Sequence, residues 1–423
     1  MRVWIVTVGE PLPEKGAKDR LHRSGILAQY LVEQGHEVVW WGSAFDHFTK
    51  RHHYSTDTQI QVSDRFKMVL FHGDGYRRNV SFARMKDHRQ VATKFAAAIE
   101  KEAHKPDVIL TSFPTIELSA VSVRYGKRHG IPVVLDIRDL WPDIFLDAAP
   151  KAMGGLVRLA LRSLFRQTEE AFEGCTGMIG ISPGYIGWGL RYAGRDRKPS
   201  DALFPLGYKK PNVAAPLLEQ AKSQLVGKGV DPARPIAWFV GTFGRTYDLA
   251  PVVETARRFA GQGRSDVQFV LSGSGEKEPA IREQAEGLSN VVLTGWVDAP
   301  QIAYLMRVAR VGLAAYAAGA PQGLPNKFFE YLSAGLPILS SLEGEAAELL
   351  ATHGCGVSYR AGDATDLASK LTKLLDDPHA LREMASRGKA LFDQAYSADV
   401  VYPQFVRYLE GTASKYGSAT SIN

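Results

Sequence analysis

Cysteine is nearly absent: Cys175 and Cys355 are the two thiols in 423 residues, and they lie in separate halves of the chain. That excludes a disulfide framework and a cysteine zinc site, and it makes a reducing cytoplasm the expected compartment. Long hydrophobic runs are missing as well. No uninterrupted apolar stretch approaches the ~18 residues that a membrane-spanning helix needs, and "MRVWIVTV", with Arg2 its only charge, reads as a buried first strand and not as a leader. Neither G-x-G-x-x-G nor the Walker pattern occurs, so dinucleotide and P-loop readings lose their main support. No two aspartates are separated by a single residue, which leaves no D-x-D metal clamp, and the histidines, His52 and His53 included, lack ligand-like partners. No metal or bound cofactor is expected. Lys and Arg exceed Asp and Glu by only 51 to 45, and no basic motif is interleaved with aromatics, so nucleic acid is not an expected partner. The net charge of +6 suits phosphate-bearing ligands or an anionic membrane surface.

What is present is the composition of an ordinary globular protein, 45% hydrophobic and 23% charged, long enough for two cored domains. Short apolar runs alternate with helical patterns. "VWIVTV", "EVVWW", "DVILTS", "IPVVLDI" and "GMIGIS" form a first series, interrupted by a polar, basic section between about 44 and 105. "PIAWFVGTFG", "VQFVLSGSG", "NVVLTGW", "RVGLAAY", "LPILSS" and "GVSYR" form a second. Such alternation predicts parallel βαβ units, hence an α/β protein of two Rossmann-like, doubly wound domains. Pro, Gly and Lys accumulate between Leu203 and Pro216 and mark the hinge. The expected division is 1–205 and 206–395, with a C-terminal helix near 396–411 returning to the first domain. Ligands of open α/β sheets collect at the carboxyl ends of strands, so chemistry is expected in a cleft lined by loops of both domains.

The most telling stretch is "GLPNKFFEYLSAGLPIL", Gly323–Leu339. Pro325 suits the first helical position and Gly335 the end, which predicts a helix over 325–334 docked before a strand. Asn326, Lys327 and Glu330 can share one face of it, with Phe328, Phe329 and Leu332 turned to the core. Two readings stay open: a solvated Lys–Glu pair contributing about 0.2–0.5 kcal/mol, or an anion site at the helix N-terminus with Lys327 on phosphate and Glu330 on ribose hydroxyls. Glycine-rich strand ends, "GEPLPEKG" from Gly9, "GTFGR" at Gly241–Arg245 and "SGSGEKE" at Ser272–Glu278, could bring backbone N–H groups against a ligand. "LDIRDLWPDIFLD", Leu135–Asp147, crowds Asp136, Arg138, Asp139 and Asp143 at a strand end, either for function or to satisfy helix ends and one another.

Together "LDIRDLWPD", "GTFG", "SGSGE", "LTGWV" and "LPNKFFEYLSAGLPIL" resemble the retaining, GT-B-fold bacterial glycosyltransferases of the family 4 type, in the polysaccharide and O-antigen branch. The resemblance covers nearly the whole chain and is strongest over 295–340. It implies transfer of a sugar from an NDP-sugar, a UDP-sugar foremost, to a polyprenyl-diphosphate-linked or saccharide acceptor, with no metal. It implies Glu330 at the ribose, Lys327 and Arg245 at the diphosphate, and Gly241 and Thr242 as the turn beneath it. Asn326, Gln322, Gly323, Leu324, Gly273 and Gly275 complete the donor site, with Trp296 and Val297 at the nucleobase edge. Gly9, Glu10 and Asp139 fall on the acceptor side. Two positions depart from the pattern: Gln322 stands where the first glutamate of E-x7-E belongs, and Arg138 where many relatives carry histidine. Arginine cannot serve as a base, so Arg138 is expected to position a phosphate or the acceptor. The alternatives are a sugar-nucleotide 2-epimerase of the same fold, with Asp136 or Asp139 as acid or base, and a non-catalytic sugar-nucleotide-binding protein. Arg158, Arg162 and Arg166, spaced four apart in an expected helix over 154–172, read either as the solvated edge of a core helix or, with "YRRN" and "RMKDHR", as a basic surface for the cytoplasmic leaflet.

Overall fold

The computed structural model describes residues 1–14, 21–79, 81–147, 149–150 and 153–420. Two compact units emerge, Met1–Leu206 together with the chain from Val401 onward, and Gly207–Val400.

The first unit is built on an eight-stranded sheet in the order β10-β9-β8-β7-β1-β2-β6-β5. Its strands are β1 Arg2–Val6, β2 Glu37–Ser43, β5 Thr58–Ser63, β6 Phe66–Phe71, β7 Val108–Phe113, β8 Val133–Ile137, β9 Gly177–Gly180 and β10 Ala202–Leu203. Two short strands, β3 Phe45–Asp46 and β4 Arg51–His52, pair separately. All ladders of the large sheet are parallel except β5–β6. The central strands are buried along nearly their whole length because helices cover both faces, which is why they read as continuous apolar runs. β5 alternates half-buried with exposed residues, the mark of an edge strand. That alternation dilutes its apolar signal, and the polar section of the sequence accordingly holds β5, β6 and the helix Phe82–Ile99. Trp4, Trp41, Phe95, Phe113, Phe172 and Trp188 anchor the core. The helix Ala398–Thr420 adds a layer from Val401 on: Phe405 stacks on Phe204 at 4.7 Å, Tyr402 on Tyr30 at 5.5 Å, and the Tyr408 hydroxyl donates to Ser200 O at 2.6 Å. The stretch 154–172 is two helices, Gly154–Ala160 and Arg162–Gly174, broken at Leu161 (φ −99°, ψ 13°).

The second unit holds a six-stranded, fully parallel sheet in the order β13-β12-β11-β14-β15-β16. These strands are β11 Ile236–Val240, β12 Gln268–Ser272, β13 Val291–Gly295, β14 Val311–Ala314, β15 Ile338–Ser340 and β16 Gly356–Ser358. The chain runs outward from β11 to β12 and β13 on one side and from β14 to β15 and β16 on the other. β11 and β14 therefore flank the topological switch point, where the loops leave in opposite directions and open a crevice.

Three loops are knitted at that end of the sheet. Gly241 N–H donates to Ser272 O at 3.0 Å, Phe243 N–H to Ser274 O at 2.8 Å, and Gly273 N–H to Gly295 O at 2.8 Å. Glycine is required here: a Cβ on Gly273 (φ +144°) would fall 1.8 Å from the Gly241 carbonyl oxygen. Gly273→Ala should destabilise the protein by about 3 kcal/mol, the upper end of overpacking penalties. Gly261→Ala, at a helical position with no atom within 4 Å of the new methyl, should stay within about 0.5 kcal/mol of the parent. Urea denaturation of the two variants side by side checks both expectations.

Candidate active site

The crevice of the second unit is built on the helix Asn326–Ala334, which follows β14. Tyr331 docks it. Its hydroxyl lies within hydrogen-bond distance of the carbonyls of Leu313 (3.0 Å) and Trp238 (3.2 Å), where one proton serves both, and it accepts the Val240 N–H at 3.3 Å. A Cβ on Gly312 would fall 2.4 Å from the Tyr331 ring, so the absence of a side chain there lets the ring lie on β14. The helix is thereby buried on all sides from Lys327 to Ser333, and its N-cap, Pro325, offers no side-chain acceptor to the first-turn N–H groups.

Burial decides between the two readings of the Lys–Glu pair. Lys327 is 5% exposed and Glu330 8%, so neither is a solvated surface charge. Asn326 is exposed and does not share their buried environment. Lys327 Nζ has no acceptor within hydrogen-bond distance. It sits instead in a cage of rings, 3.8 Å from the Phe239 centroid, 4.0 Å from Tyr247 and 5.2 Å from Tyr316. Gly241 (φ +152°) forms the wall, and a Cβ there would lie 3.2 Å from Nζ. A desolvated cation–π contact is worth about 2 kcal/mol, whereas each hydrogen bond to a charged group is worth about 1.5–3 kcal/mol, and the ammonium makes none of its three. Burial consequently pushes the Lys327 pKa well below that of a free lysine, with the Glu330 carboxylate opposing the shift. Nearby, Gln322 Oε1 is also buried with no donor in reach. The unsatisfied ammonium beside an uncapped helix N-terminus marks a place shaped for a ligand with anionic oxygens, and the unsatisfied amide oxygen calls for a donor such as a hydroxyl on the same ligand.

The remaining donor-side candidates surround this point unevenly. Gly241, Thr242, Gly273 and Gly275 belong to the knitted loops, while Gly323 and Leu324 lie in the half-buried approach to the helix. Val297 is buried, and Trp296 presents an indole that is 75% exposed. Arg245 is not drawn in; its side chain is 89% exposed and reaches Glu276 at 3.3 Å.

In the first unit Arg138 is the hub of an ion-pair network. Its guanidinium pairs with Glu10, donates from Nε to Asp136 Oδ2 at 2.9 Å and from Nη2 to Ser24 Oγ at 2.8 Å. Burial lowers its pKa to about 10, still charged at neutral pH. Arg23 approaches the fully buried Asp136 from the other side at 2.9 Å and donates to Pro205 O at 2.7 Å. Glu10 also accepts the Ser24 N–H at 3.0 Å, just after Gly9 makes its left-handed turn (φ +79°). Asp139 is bound by its own loop, accepting from Leu140 N–H at 2.9 Å and the Trp141 indole at 3.2 Å; burial raises its pKa against those bonds and the charge of Arg84. His52 bonds the Gly73 carbonyl at 2.9 Å and stacks on His72. No group of three or more His, Cys, Asp or Glu side chains poised for a metal occurs among the described residues.

Comparison with known proteins bears on this geometry. Residues 234–377 match the family described as glycosyl transferases group 1. They are a glycosyl transferases group 1 domain. It contains the ring cage, the knitted loops and the Lys327 helix. An alpha-maltose-1-phosphate synthase of Mycobacterium tuberculosis is 30% identical over 189 residues, 41% of this chain and 47% of that protein. The chain spans about half the length of the curated relatives it matches. Over the full length, a sucrose-phosphate synthase from Thermosynechococcus elongatus superposes with a TM-score of 0.71 at 16% identity, covering 98% of this chain and 99% of that one. Anabaena HepE, in complex with UDP-glucose, superposes with a TM-score of 0.62 at 16% identity, covering 97% and 100%. The fold around the group 1 domain is thus GT-B, two parallel-sheet α/β domains.

Sequence reasoning missed Phe239, Tyr247 and Tyr316 as the cage, because aromatics at strand ends look the same whether they fill a core or enclose a cation. It also missed Arg23, which lies 113 residues from Asp136 in the chain. The cage generates a stability prediction. A lysine whose folded pKa is depressed binds fewer protons folded than unfolded, so the penalty vanishes above its unfolded pKa near 10.5 and grows as pH falls below it. Lys327→Met, which fills the same space without charge, should raise the melting temperature at neutral pH. The advantage over the parent should narrow as pH climbs toward 10, as read by calorimetry on both proteins. A variant less stable than the parent at neutral pH would mean that the rings stabilise the ammonium fully.

Proposed function

We propose that this protein is a glycosyltransferase that takes a nucleoside-diphosphate sugar, a UDP-sugar foremost, and transfers its glycosyl group with retained anomeric configuration and without a metal. The observation that carries the reading is the Lys327 ammonium, buried without an acceptor at an uncapped helix N-terminus inside a group 1 domain. A diphosphate supplies the acceptor oxygens that the site lacks. The Gly241–Thr242 turn and the first-turn N–H groups would hold the phosphates, and Glu330 would accept hydrogen bonds from the ribose. Trp296 and Val297 would border the base, with Gln322, Gly323 and Leu324 at the sugar. Arg245, held among the described residues by an exposed pair with Glu276, would swing onto the outer phosphate. That Anabaena HepE carries UDP-glucose on the same fold supports the choice of donor.

In the proposed reaction the acceptor oxygen bonds to the anomeric carbon on the face from which the phosphate departs. The C–O bond to phosphate breaks, and the acceptor proton passes to the departing phosphate oxygen. Negative charge grows on the diphosphate, where Lys327 and the helix dipole stabilise it. No protein base is required, which fits the commitment of Asp136 to Arg23 and Arg138 and of Asp139 to its own loop. The same commitments weigh against the 2-epimerase, which needs carboxyl groups free to exchange protons. The acceptor in this reading is a polyprenyl-diphosphate lipid or a saccharide of a cell-surface polysaccharide, met in the cytoplasm or at the inner face of the membrane. No helix among the described residues is long and apolar enough to cross a membrane.

A panel of sugar nucleotides scored by thermal shift tests the donor, since a ligand at one hundred times its Kd adds about 2.7 kcal/mol to the folded state. Glu330→Ala should weaken both free nucleotide and intact donor by roughly 1.5–3 kcal/mol. Lys327→Ala should lower kcat on the order of a hundredfold, because leaving-group charge is largest in the transition state. Binding without turnover on any acceptor would leave a sugar-nucleotide-binding protein, and turnover without acceptor would point to the epimerase.

A further inference from the structure

Two of the three rings around Lys327 carry hydroxyls, and the cage uses only their faces. Tyr247 follows β11 and Tyr316 follows β14, so they come from opposite sides of the switch point. Ala317 N–H donates to Thr246 O at 3.0 Å and Asp248 N–H to Ala315 O at 3.2 Å, which joins the two tyrosines in an antiparallel bridge. Because these bonds belong to the flanking residues, the tyrosines are a non-hydrogen-bonded pair, the kind that brings two side chains closest on one face. Their ring centroids lie 4.7 Å apart.

Further bonds fix each backbone. Lys277 Nζ donates to Tyr247 O at 2.7 Å. Ser341 Oγ accepts the Tyr316 N–H at 2.7 Å and donates to Tyr316 O at 2.8 Å. Tyr316 is 1% exposed, and its hydroxyl donates to the Tyr247 oxygen at 3.5 Å, a long bond but the one acceptor in reach among the described residues. Tyr247 is half-buried, and accepting that bond leaves its own proton to give. Among the described residues this proton has no acceptor. Burial, opposed by the Tyr316 bond and assisted by the Glu330 carboxylate, raises the Tyr247 pKa above that of a free tyrosine, so the hydroxyl stays protonated at neutral pH. The Tyr247 ring lies 4.0 Å from Lys327 Nζ, and the hydroxyl is one bond beyond that ring. Ammonium and hydroxyl therefore border the same space, each with a proton and no partner.

We infer that the Tyr247 hydroxyl is a ligand contact, donating a hydrogen bond to the outer phosphate that Lys327 meets, and that Tyr316 is the positioning residue that aims it. The inference rests on the nucleoside-diphosphate reading of the site. The proton stays on Tyr247 throughout, since the departing phosphate oxygen takes the proton of the acceptor. A neutral donor supplements Lys327 without bringing a further charge into a buried place, and its bond strengthens as charge grows on the departing phosphate. One residue thereby serves the cation through its face and the anion through its polar tip.

Tyr247→Phe tests it on the full chain, because the ring stays over Lys327 and only the hydroxyl goes. Calorimetric titration with UMP, UDP and UDP-glucose reads the effect without any acceptor. The loss should follow the charge on the outer phosphate. UMP, which has no outer phosphate, should bind within about twofold of the parent, UDP-glucose about threefold more weakly, and UDP about twentyfold more weakly, in the range of a hydrogen bond to a charged group. Tyr316→Phe should weaken UDP about fourfold on its own and add nothing once Tyr247 is phenylalanine, because it acts through that hydroxyl. Circular dichroism, and a melting temperature that keeps the parent's dependence on pH, confirm that the variant is folded with the ring still over Lys327. Equal losses for all three ligands, or fully additive effects of the two substitutions, would overturn the inference. Parent-like UDP binding by Tyr247→Phe would overturn it alone, whereas a parent that binds none of the three would overturn the UDP-sugar reading and this inference with it.

Discussion

An ammonium group held among three aromatic rings without an acceptor must be kept there by everything around it. Left to itself Lys327 would extend to water, and its side chain is long enough to do so. The constraint comes from Tyr331 one turn further on. Its hydroxyl is tied to three backbone groups of β11 and β14, and its ring rests on the bare Cα of Gly312. With that ring fixed, the helix cannot roll, and Lys327 points into the space between Phe239, Tyr247 and Tyr316. The knitted glycine loops close the far side at the same strand ends. The fold thus spends stability on holding a cation where water cannot reach it, which makes the site reactive toward anions before any ligand arrives.

The first unit treats charge in the opposite manner. Arg138, Asp136, Arg23, Glu10 and Ser24 pair with one another, two cations against two carboxylates, so the network is cross-linked and close to neutral, although Arg23 Nη2 is buried without a partner. Its arginine at 138 acts as a tie between the first strand's loop and the end of β8. The contrast is physical: a charge-balanced network positions backbone, while a buried charge without an acceptor binds.

How much of this could be read in the amino acids follows from the range of the interactions. Buried parallel strands show as runs such as "DVILTS" and "IPVVLDI" because both faces are covered, and the helix at 326–334 shows because Pro325 and Gly335 punctuate it. β5 does not show, since Thr58, Gln59 and Gln61 suit the outer face of an edge strand and equally a loop. The break at Leu161 carries neither glycine nor proline, so 154–172 reads as one helix. Lys327 and Glu330 are legible as a pair, but their burial is not, because it depends on Tyr331 of the same helix docking against Gly312 of β14. Arg23 and Asp136 meet only through the sheet order.

The path of the chain has a consequence for how the protein is made. Residues after Val401 belong to the first unit, although they are synthesised after the whole of the second. Until they emerge from the ribosome, Phe204, Tyr30 and the Leu206 carbonyl lack the ring stacks and hydroxyl that cover them in the finished protein. The first unit is therefore begun before the second and completed after it. In the interval the nascent chain carries an uncovered aromatic surface, and completion of the first unit waits on residues made after the whole of the second.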